Sequence, residues 1–340
     1  MKIAVDIRFA DEEYEDFIYQ TLCILAKQYQ QHTFIFISEQ PVDLSFKNVV
    51  HIFIKSLKKT NFYFHIADDY KISAVLKKNK ADIFISTRCV KQFKIPQCLI
   101  ASTDTKFKYL KRAKLILADS LFLKKYIITK HKIDENKIEI VYPAAAEIFH
   151  PISFEERENI KKQYADEAEY FFYLQYSISA EPLINVLKAF SVFKKRQKSS
   201  MKLLIKANNI KMLTEHLRLY KFRGDVKIVE TVLESGLAQI IAGAYSIIYF
   251  NNDTFPLLQA MQCNVPAITN DSGKSFEICS DAALYADTDN HNSISEKMML
   301  IFKDEKFRKK IIEKQREQIK KNSGDKAAVD LWQSIEKAVN

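Results

Sequence analysis

The stretch YSIIYFNNDTFPLLQAMQCNVPAIT, residues 245–269, decides the fold. A short apolar run is followed by a polar loop, a helix start with a proline in its first turn, and a second apolar run. Two such runs joined by a helix-length spacer read as a parallel crossover, because antiparallel neighbours need only a short turn. Parallel strands are buried on both faces, so helices must cover both sides of the sheet. The loop and helix start then lie at the carboxyl end of a buried strand, where α/β proteins bind ligands. Here that place carries one carboxylate, Asp253, no cation and no glycine.

The same alternation runs along most of the chain. Strands are expected at 2–7, 33–38, 49–55, 81–86, 98–102, 115–119 and 138–143, and in a second series at 170–174, 201–206, 226–230, 245–250, 265–269 and 282–286. Helical spacing is clear at 14–29, 121–131, 182–197, 210–220, 234–242, 255–263, 292–303 and 305–321. The stretch YPAAAEIFHPIS, 142–153, breaks the alternation with two prolines and reads as a linker. The expected architecture is therefore α/β: two doubly wound, Rossmann-like domains, 1–145 and 146–322, followed by a helix within 323–340. That helix carries the only tryptophan, Trp332, is expected to dock wherever that ring can be buried, and is expected to cross back to the N-terminal domain. No internal repeat of fixed period is present.

Composition narrows the function. The chain has 340 residues, 47% of them hydrophobic, and a net charge of +10 carried mostly by lysine. Lysine is a diffuse partner for phosphate or lipid headgroups and suits planar recognition less than arginine. The apolar runs are short against the ~20 residues needed to span a bilayer. The start, MKIAVDIRF, reads as a strand with an acid inside it and lacks signal-peptide features. Five scattered cysteines without a CxxC suit free thiols in a reducing cytoplasm. Five glycines are present, all after residue 220. Phosphate-cradling loops use glycine where the backbone must approach an anion closely, so the first 223 residues hold no such loop.

Other chemistries leave no pattern. The seven histidines show no metal-ligand spacing, so no metal is expected. The triplet Asp287–Thr288–Asp289 follows a strand and precedes a helix, which suits a polar turn and helix cap. No GxSxG nucleophile elbow occurs. The stretch 106–132 is densely basic with interleaved aromatics. It reads as a solvated helix surface or an anionic-membrane face. Nucleic acid is disfavoured, because no stacking platform is identifiable.

Three further blocks carry a resemblance. ADSLFLKKYIITKHKIDENKIEIVYP (118–143), FFYLQYSISAEPLINVLKAFSVFKKR (171–196), and the series VLESGLAQIIAGAYSIIYF, FPLLQAMQCNVPAIT and SFEICSDAALYADTDN within 232–290 occur in order. Together they are similar to a GT-B glycosyltransferase of the group 1, or family 4, type. The resemblance covers 115–340 well and the first 35 residues weakly. It implies a GT-B architecture, a nucleotide-sugar donor on the C-terminal domain, an acceptor on the N-terminal domain, and no metal.

The positions that the resemblance marks as functional depart from the family pattern. Two glutamates that contact the transferred sugar and the ribose are replaced by Asn251 and Gln259. Glycines between them become Asn252 and Thr254, beside Phe255. An arginine and a lysine that clamp the diphosphate become Tyr176 and Glu181, with Gln175 in place of the preceding glycine. On the acceptor side, a glycine-arginine loop becomes Glu15 and Asp16, and a His-Asp pair becomes Thr103 and Asp104. The hinge glycine becomes Ala144, while Glu277 is retained.

In sugar transfer from a nucleotide, negative charge develops on the departing diphosphate. Each preorganised cation there is typically worth ~10²–10³ in rate. Unit charges ~4 Å apart interact by about 1–4 kcal/mol between bulk-water and near-surface dielectrics, so Glu181 would repel what the family's lysine attracts. Asn251 and Gln259 keep only neutral hydrogen bonding, roughly half as strong as the charge-assisted kind.

The leading expectation is a cytoplasmic, glycosyltransferase-like protein of bacterial surface polysaccharide or glycan assembly. It is expected to be catalytically impaired and to act as partner or scaffold for an active glycosyltransferase, peripheral at the inner membrane face. No cofactor is expected, and a nucleotide-sugar donor is disfavoured. One alternative is an active retaining glycosyltransferase in which Lys206 or the 106–132 surface supplies cations. Another is a basic module for anionic lipid.

Overall fold

In the computed structural model, contacts divide the chain into two units, Met1–Ala144 with Ser323–Asn340, and Ala145–Asn322. All residues are described except 7, 9–11, 40–45, 56–61, 91–93, 176–178, 208–209, 231–232, 252 and 272; for 12–16 and 62–67 only the backbone is described.

Unit 1 runs β1 (Lys2–Asp6), α1 (Glu12–Gln28), β2 (Thr33–Ser38), β3 (Val49–Phe53), α2 (Phe62–Asn79), β4 (Ile83–Ser86) and β5 (Gln97–Ile100). It continues with α3 (Phe107–Arg112), β6 (Leu115–Ala118), α4 (Leu121–His131) and β7 (Ile138–Ile140). The sheet order is β3-β2-β1-β4-β5-β6-β7, every pairing parallel. The winding direction therefore reverses between β1 and β4, whose register sets Ile3 against Ile83. Apolar residues fill both faces of the central strands: Ile3, Ala4, Val5, Ile83, Phe84 and Ile85 are all buried. That is why these runs read as continuous apolar stretches rather than alternating ones.

Unit 2 runs α5 (Phe154–Tyr164), β8 (Tyr170–Gln175), α6 (Glu181–Gln197), β9 (Lys202–Ala207), α7 (Ile210–Leu217), β10 (Val226–Val229), α8 (Glu234–Gly243) and β11 (Ser246–Tyr249). It ends with α9 (Phe255–Gln262), β12 (Ala267–Thr269), α10 (Gly273–Cys279), β13 (Leu284–Tyr285), α11 (His291–Lys303) and α12 (Glu305–Ile319). Its sheet order, β10-β9-β8-β11-β12-β13, is again parallel throughout. The reversal falls between β8 and β11. One face is closed by an aromatic cluster in which Phe193 meets Phe171 edge-on at 5.3 Å and Phe302 at 5.2 Å.

The last helix, α13 (Gly324–Val339), belongs to unit 1. Its Trp332 is buried and stacks on Tyr29, just past α1, ring centroids 3.8 Å apart. The indole is the anchor, since aromatic pairs add about 0.5–1.5 kcal/mol beyond area burial.

Scarcity of glycine shows in the backbone. Left-handed positions after helices, usual sites for glycine, are occupied here by Lys132 (φ 53°), Lys198 (φ 49°) and Asn264 (φ 58°). Gly243 is needed for space instead. A Cβ there would lie 2.7 Å from the Tyr170 hydroxyl, which itself donates to the Ile240 carbonyl, and 2.9 Å from Ile160 Cγ2. Gly243→Ala is therefore expected to destabilise unit 2 by about 1–3 kcal/mol. Urea denaturation of the full chain checks this, and an unchanged midpoint would contradict it.

All five cysteines are free and four are buried. Burial pushes the thiols of Cys89, Cys98, Cys263 and Cys279 up to about 12, so they are packing groups rather than nucleophiles. Among the described residues no helix is long and apolar enough to cross a membrane.

Candidate functional site

Strands β8 and β11 are neighbours, Ile248 opposite Tyr173. Their carboxyl ends therefore set Gln175 and the start of α6 beside Phe250 and the start of α9, at the point where the winding of unit 2 reverses. Crevices of this kind are the usual ligand sites of open parallel sheets.

On the β11 side the framework is apolar. Phe255, Leu257, Leu258 and Met261 are buried, and Phe250 leans on the Tyr173 ring at 6.4 Å. The first turn of α9 is internally satisfied: the Asp253 carboxylate accepts from the Phe255 amide at 3.1 Å. Pro256 supplies no amide donor, and Thr254 caps by backbone alone. A carboxylate thus sits where a helix start favours an anion. Asn251 is half-buried at the loop entry. Gln259, one turn into α9, is 4% exposed, and its Oε1 is enclosed without a hydrogen-bond partner. An enclosed, unpaired carbonyl oxygen costs about 1–3 kcal/mol, which a donor from a ligand would relieve.

On the β8 side, Gln175 is buried and braces its own loop. Its Oε1 accepts from the Tyr173 hydroxyl, and its Nε2 donates to the Ser179 carbonyl at 3.0 Å. The side chain spans the turn where the resemblance places a glycine. Glu181 opens α6 and is exposed, so its carboxylate, not a cation, stands at that helix start. Tyr176 and Asn252 lie outside the described residues.

The remaining donor-side candidates lie one strand out. Lys206, on β9, and Glu277, on α10 after β12, are half-buried. The triplet 287–289 is a turn in which Asp287 accepts from the Asp289 amide at 3.0 Å, and Asn290 rather than an aspartate caps α11. Among the described residues no group of His, Cys, Asp and Glu is arranged to hold a metal. The carboxyl edge of this sheet carries Glu181, Glu230, Glu234, Asp253, Asp271, Glu277, Asp287 and Asp289, against Lys206, Lys211 and Lys274. It is acidic in a chain of net charge +10.

The acceptor-side candidates are all in unit 1. Glu15 and Asp16 fall within α1, their side chains outside the described residues. Thr103 and Asp104 are exposed in a turn after β5, closed by the Thr105 amide on the Ser102 carbonyl at 3.2 Å.

Unit 1 holds a charged constellation that the sequence reading missed. Arg8, just past β1, chelates Asp6 through Nε and Nη2, each 2.8 Å from a carboxylate oxygen. It also chelates Asp68 of α2 at 3.0 and 3.1 Å. Arg88, past β4, pairs with the same Asp68 and stands 3.6 Å from Asp69. Burial alone would lower the Arg8 guanidinium, but the hydrogen bonds and charges of Asp6, then Asp68, outweigh it and raise it above its ordinary value. The network ties β1, β4 and α2 together at the reversal point of the first sheet. Its only sequence signal is a charged residue two positions after, or at the end of, an apolar strand.

Two doubly wound units, each with its polar groups at the carboxyl edge, define the GT-B fold. The comparisons with known proteins agree. Residues 155–318, most of the second unit, match the family model of glycosyl transferases group 1. A glycosyltransferase from Rickettsia africae ESF-5 has a similar structure over 100% of this chain and 98% of its own, with TM-score 0.80 and 15% identity. Anabaena HepE, solved with UDP and glucose, covers 99% of both chains at TM-score 0.75 and 11% identity. WaaG, a glycosyltransferase involved in lipopolysaccharide biosynthesis, covers 96% of this chain and 98% of its own at TM-score 0.71 and 12% identity. No curated protein matches by sequence.

Proposed function

We propose that this chain is a glycosyltransferase-fold component of bacterial surface-glycan assembly that no longer transfers sugar efficiently and serves an active glycosyltransferase as partner or scaffold. Glycan assembly is suggested by similar structures such as WaaG, whose described role is lipopolysaccharide biosynthesis. The observation that carries the loss of activity is the chemistry of the β8–β11 crevice. Gln175 braces the loop, Glu181 stands at the start of α6 and Asp253 at the start of α9, so among the described residues carboxylates, not cations, stand at the two helix starts where a departing diphosphate would gain charge. Preorganised charge is usually the largest single contribution to such a reaction. Removing it while keeping the packing residues leaves shape without stabilisation.

One observation favours a second reading, an active enzyme with a rewired site. The enclosed Oε1 of Gln259 suits a hydroxyl donor, as a ribose or sugar would present. Nucleoside diphosphate release separates the two. With UDP- and GDP-sugars at about 1 mM, near the top of the usual KM range, the proposal expects release at background. Turnover that Gln259→Ala abolishes would establish the enzyme instead.

A further inference from the structure

Strand β7 and helix α13 enclose a cavity of about 270 Å³ at one lateral edge of the first sheet. It lies wholly in unit 1 and takes no part in the crevice of unit 2. Glu139 and Ile140 of β7 line it from one side, and Asp330, Gln333, Ser334 and Lys337 of α13 from the other.

The polar groups on offer follow from the place of β7 in the sheet. It is the last strand and pairs with β6. The Val141 amide donates to the Ala118 carbonyl at 2.9 Å. By alternation along the ladder, the amide and carbonyl of Ile140 turn the other way, to the open edge. The next outward residue, Ile138, has its amide taken up by the Glu135 carbonyl. Helix α13 adds side chains whose charges cancel. Lys337 pairs with Glu139 and donates to the Asn136 carbonyl at 3.2 Å, which leaves a third ammonium N–H for a ligand. Asp330 accepts from Lys326 at 2.6 Å through Oδ1 and keeps Oδ2 as an acceptor. Ser334 is 4% exposed and donates its hydroxyl to the Asp330 carbonyl at 2.8 Å, so its oxygen faces a ligand as an acceptor. The exposed Gln333 carboxamide donates and accepts.

This mixture selects a class of ligand. Both ammoniums are already matched by carboxylates, so a phosphate gains little there and would have to break an ion pair. None of the described lining residues is aromatic, so a nucleobase has no ring to stack on. An extended peptide would find a single outward residue of β7 with both groups to offer, too short a ladder for strand addition. The volume is below that of pockets for drug-sized ligands. A sugar ring suits it, because each hydroxyl both donates and accepts and the ring carries no charge.

We propose that the β7–α13 cavity binds a neutral sugar residue, free or as one unit of a glycan chain. This inference is independent of whether the donor crevice turns over.

The test is saturation-transfer NMR on the full chain with the methyl glycosides of glucose, galactose, mannose and N-acetylglucosamine, and with a trisaccharide of each. At least one neutral glycoside is expected to bind with a dissociation constant of about 1–10 mM, which suits about a dozen non-hydrogen atoms at ordinary ligand efficiency. A tighter trisaccharide assigns the site to a glycan chain, and equal binding assigns it to a free monosaccharide. Glucuronate and glucosamine, each charged, should bind at least about fivefold more weakly. Asp330→Ala/Gln333→Ala should weaken binding at least about tenfold, while Lys309→Ala/Lys310→Ala on α12 should leave it unchanged. Trp332 fluorescence in urea reports whether the double variant is folded, and Gln333→Ala alone, at an exposed position, carries the test if it is not. Absence of transfer from all four glycosides at about 20 mM, equal binding by the α13 variants, or charged sugars bound as tightly as neutral ones would each overturn the proposal.

Discussion

Arg8→Met is expected to destabilise unit 1 by about 3–5 kcal/mol, because it leaves buried carboxylates without their counter-charge. The Asp6 side chain is 1% exposed and the Arg8 side chain fully enclosed, and the guanidinium is shared between Asp6 and Asp68. Taking away one partner strands a charge in a poor dielectric, whereas removing both replaces the pair with packing. Asp6→Asn/Arg8→Met is therefore expected to recover at least half of the loss. The readout comes with the protein: Trp332 is the only tryptophan and is seated in unit 1 against Tyr29. Its fluorescence during urea denaturation follows that unit. A single variant with a midpoint near that of the native chain would mean the network is solvated and weak, as surface ion pairs are.

The second large effect is a gain. Tyr176→Arg/Glu181→Lys is expected to strengthen UDP binding over that of the native chain, tightening the dissociation constant at least tenfold to about 0.1 mM or below. The substitutions exchange one carboxylate for an ammonium and add a guanidinium able to grip a phosphate through two bonds. Gln175 opposes them. Its side chain holds the loop across to the Ser179 carbonyl where the resemblance calls for a backbone without a side chain. Adding Gln175→Gly should therefore tighten binding further. Calorimetric titration of the two variants checks both steps. Failure of both would show that the loop has lost more than its charges.

The sheets were legible because buried parallel strands write themselves as apolar runs. Every run read as a strand overlaps one, with ends that differ by up to three residues, as in 138–143 against Ile138–Ile140. Helices with a buried stripe were equally plain, α4 being an instance. Helix α2 was missed although it buries Ile72 and Leu76; the others missed had little to bury. Helix α5, FEERENIKKQY, inserts Ile160 but is otherwise dominated by polar side chains, so its signal lay in the capping box of Ser153 and Glu156 rather than in periodicity. Helix α3 buries only Leu110 and read as a basic run. Helix α10 spans seven residues.

The candidate site was legible only where its members are close in sequence. Asn251 to Gln259 form one strand–loop–helix, and the resemblance to glycosyl transferases group 1 gave that segment its meaning. The bracing of Gln175 on Ser179 could not be read, because it depends on which way a side chain turns. The Asp6–Arg8–Asp68–Arg88 network was invisible for another reason. Its members are up to 82 positions apart and meet only because β1 and β4 are neighbours across the reversal point.

The central claim is that unit 2 keeps the shape of a donor crevice and has lost the charges that hold a nucleoside diphosphate. Calorimetric titration of the native chain with UDP tests it most directly. The account predicts no saturable heat, with any dissociation constant weaker than about 1 mM. Saturable binding in the micromolar range, lost in Gln259→Ala, would contradict it.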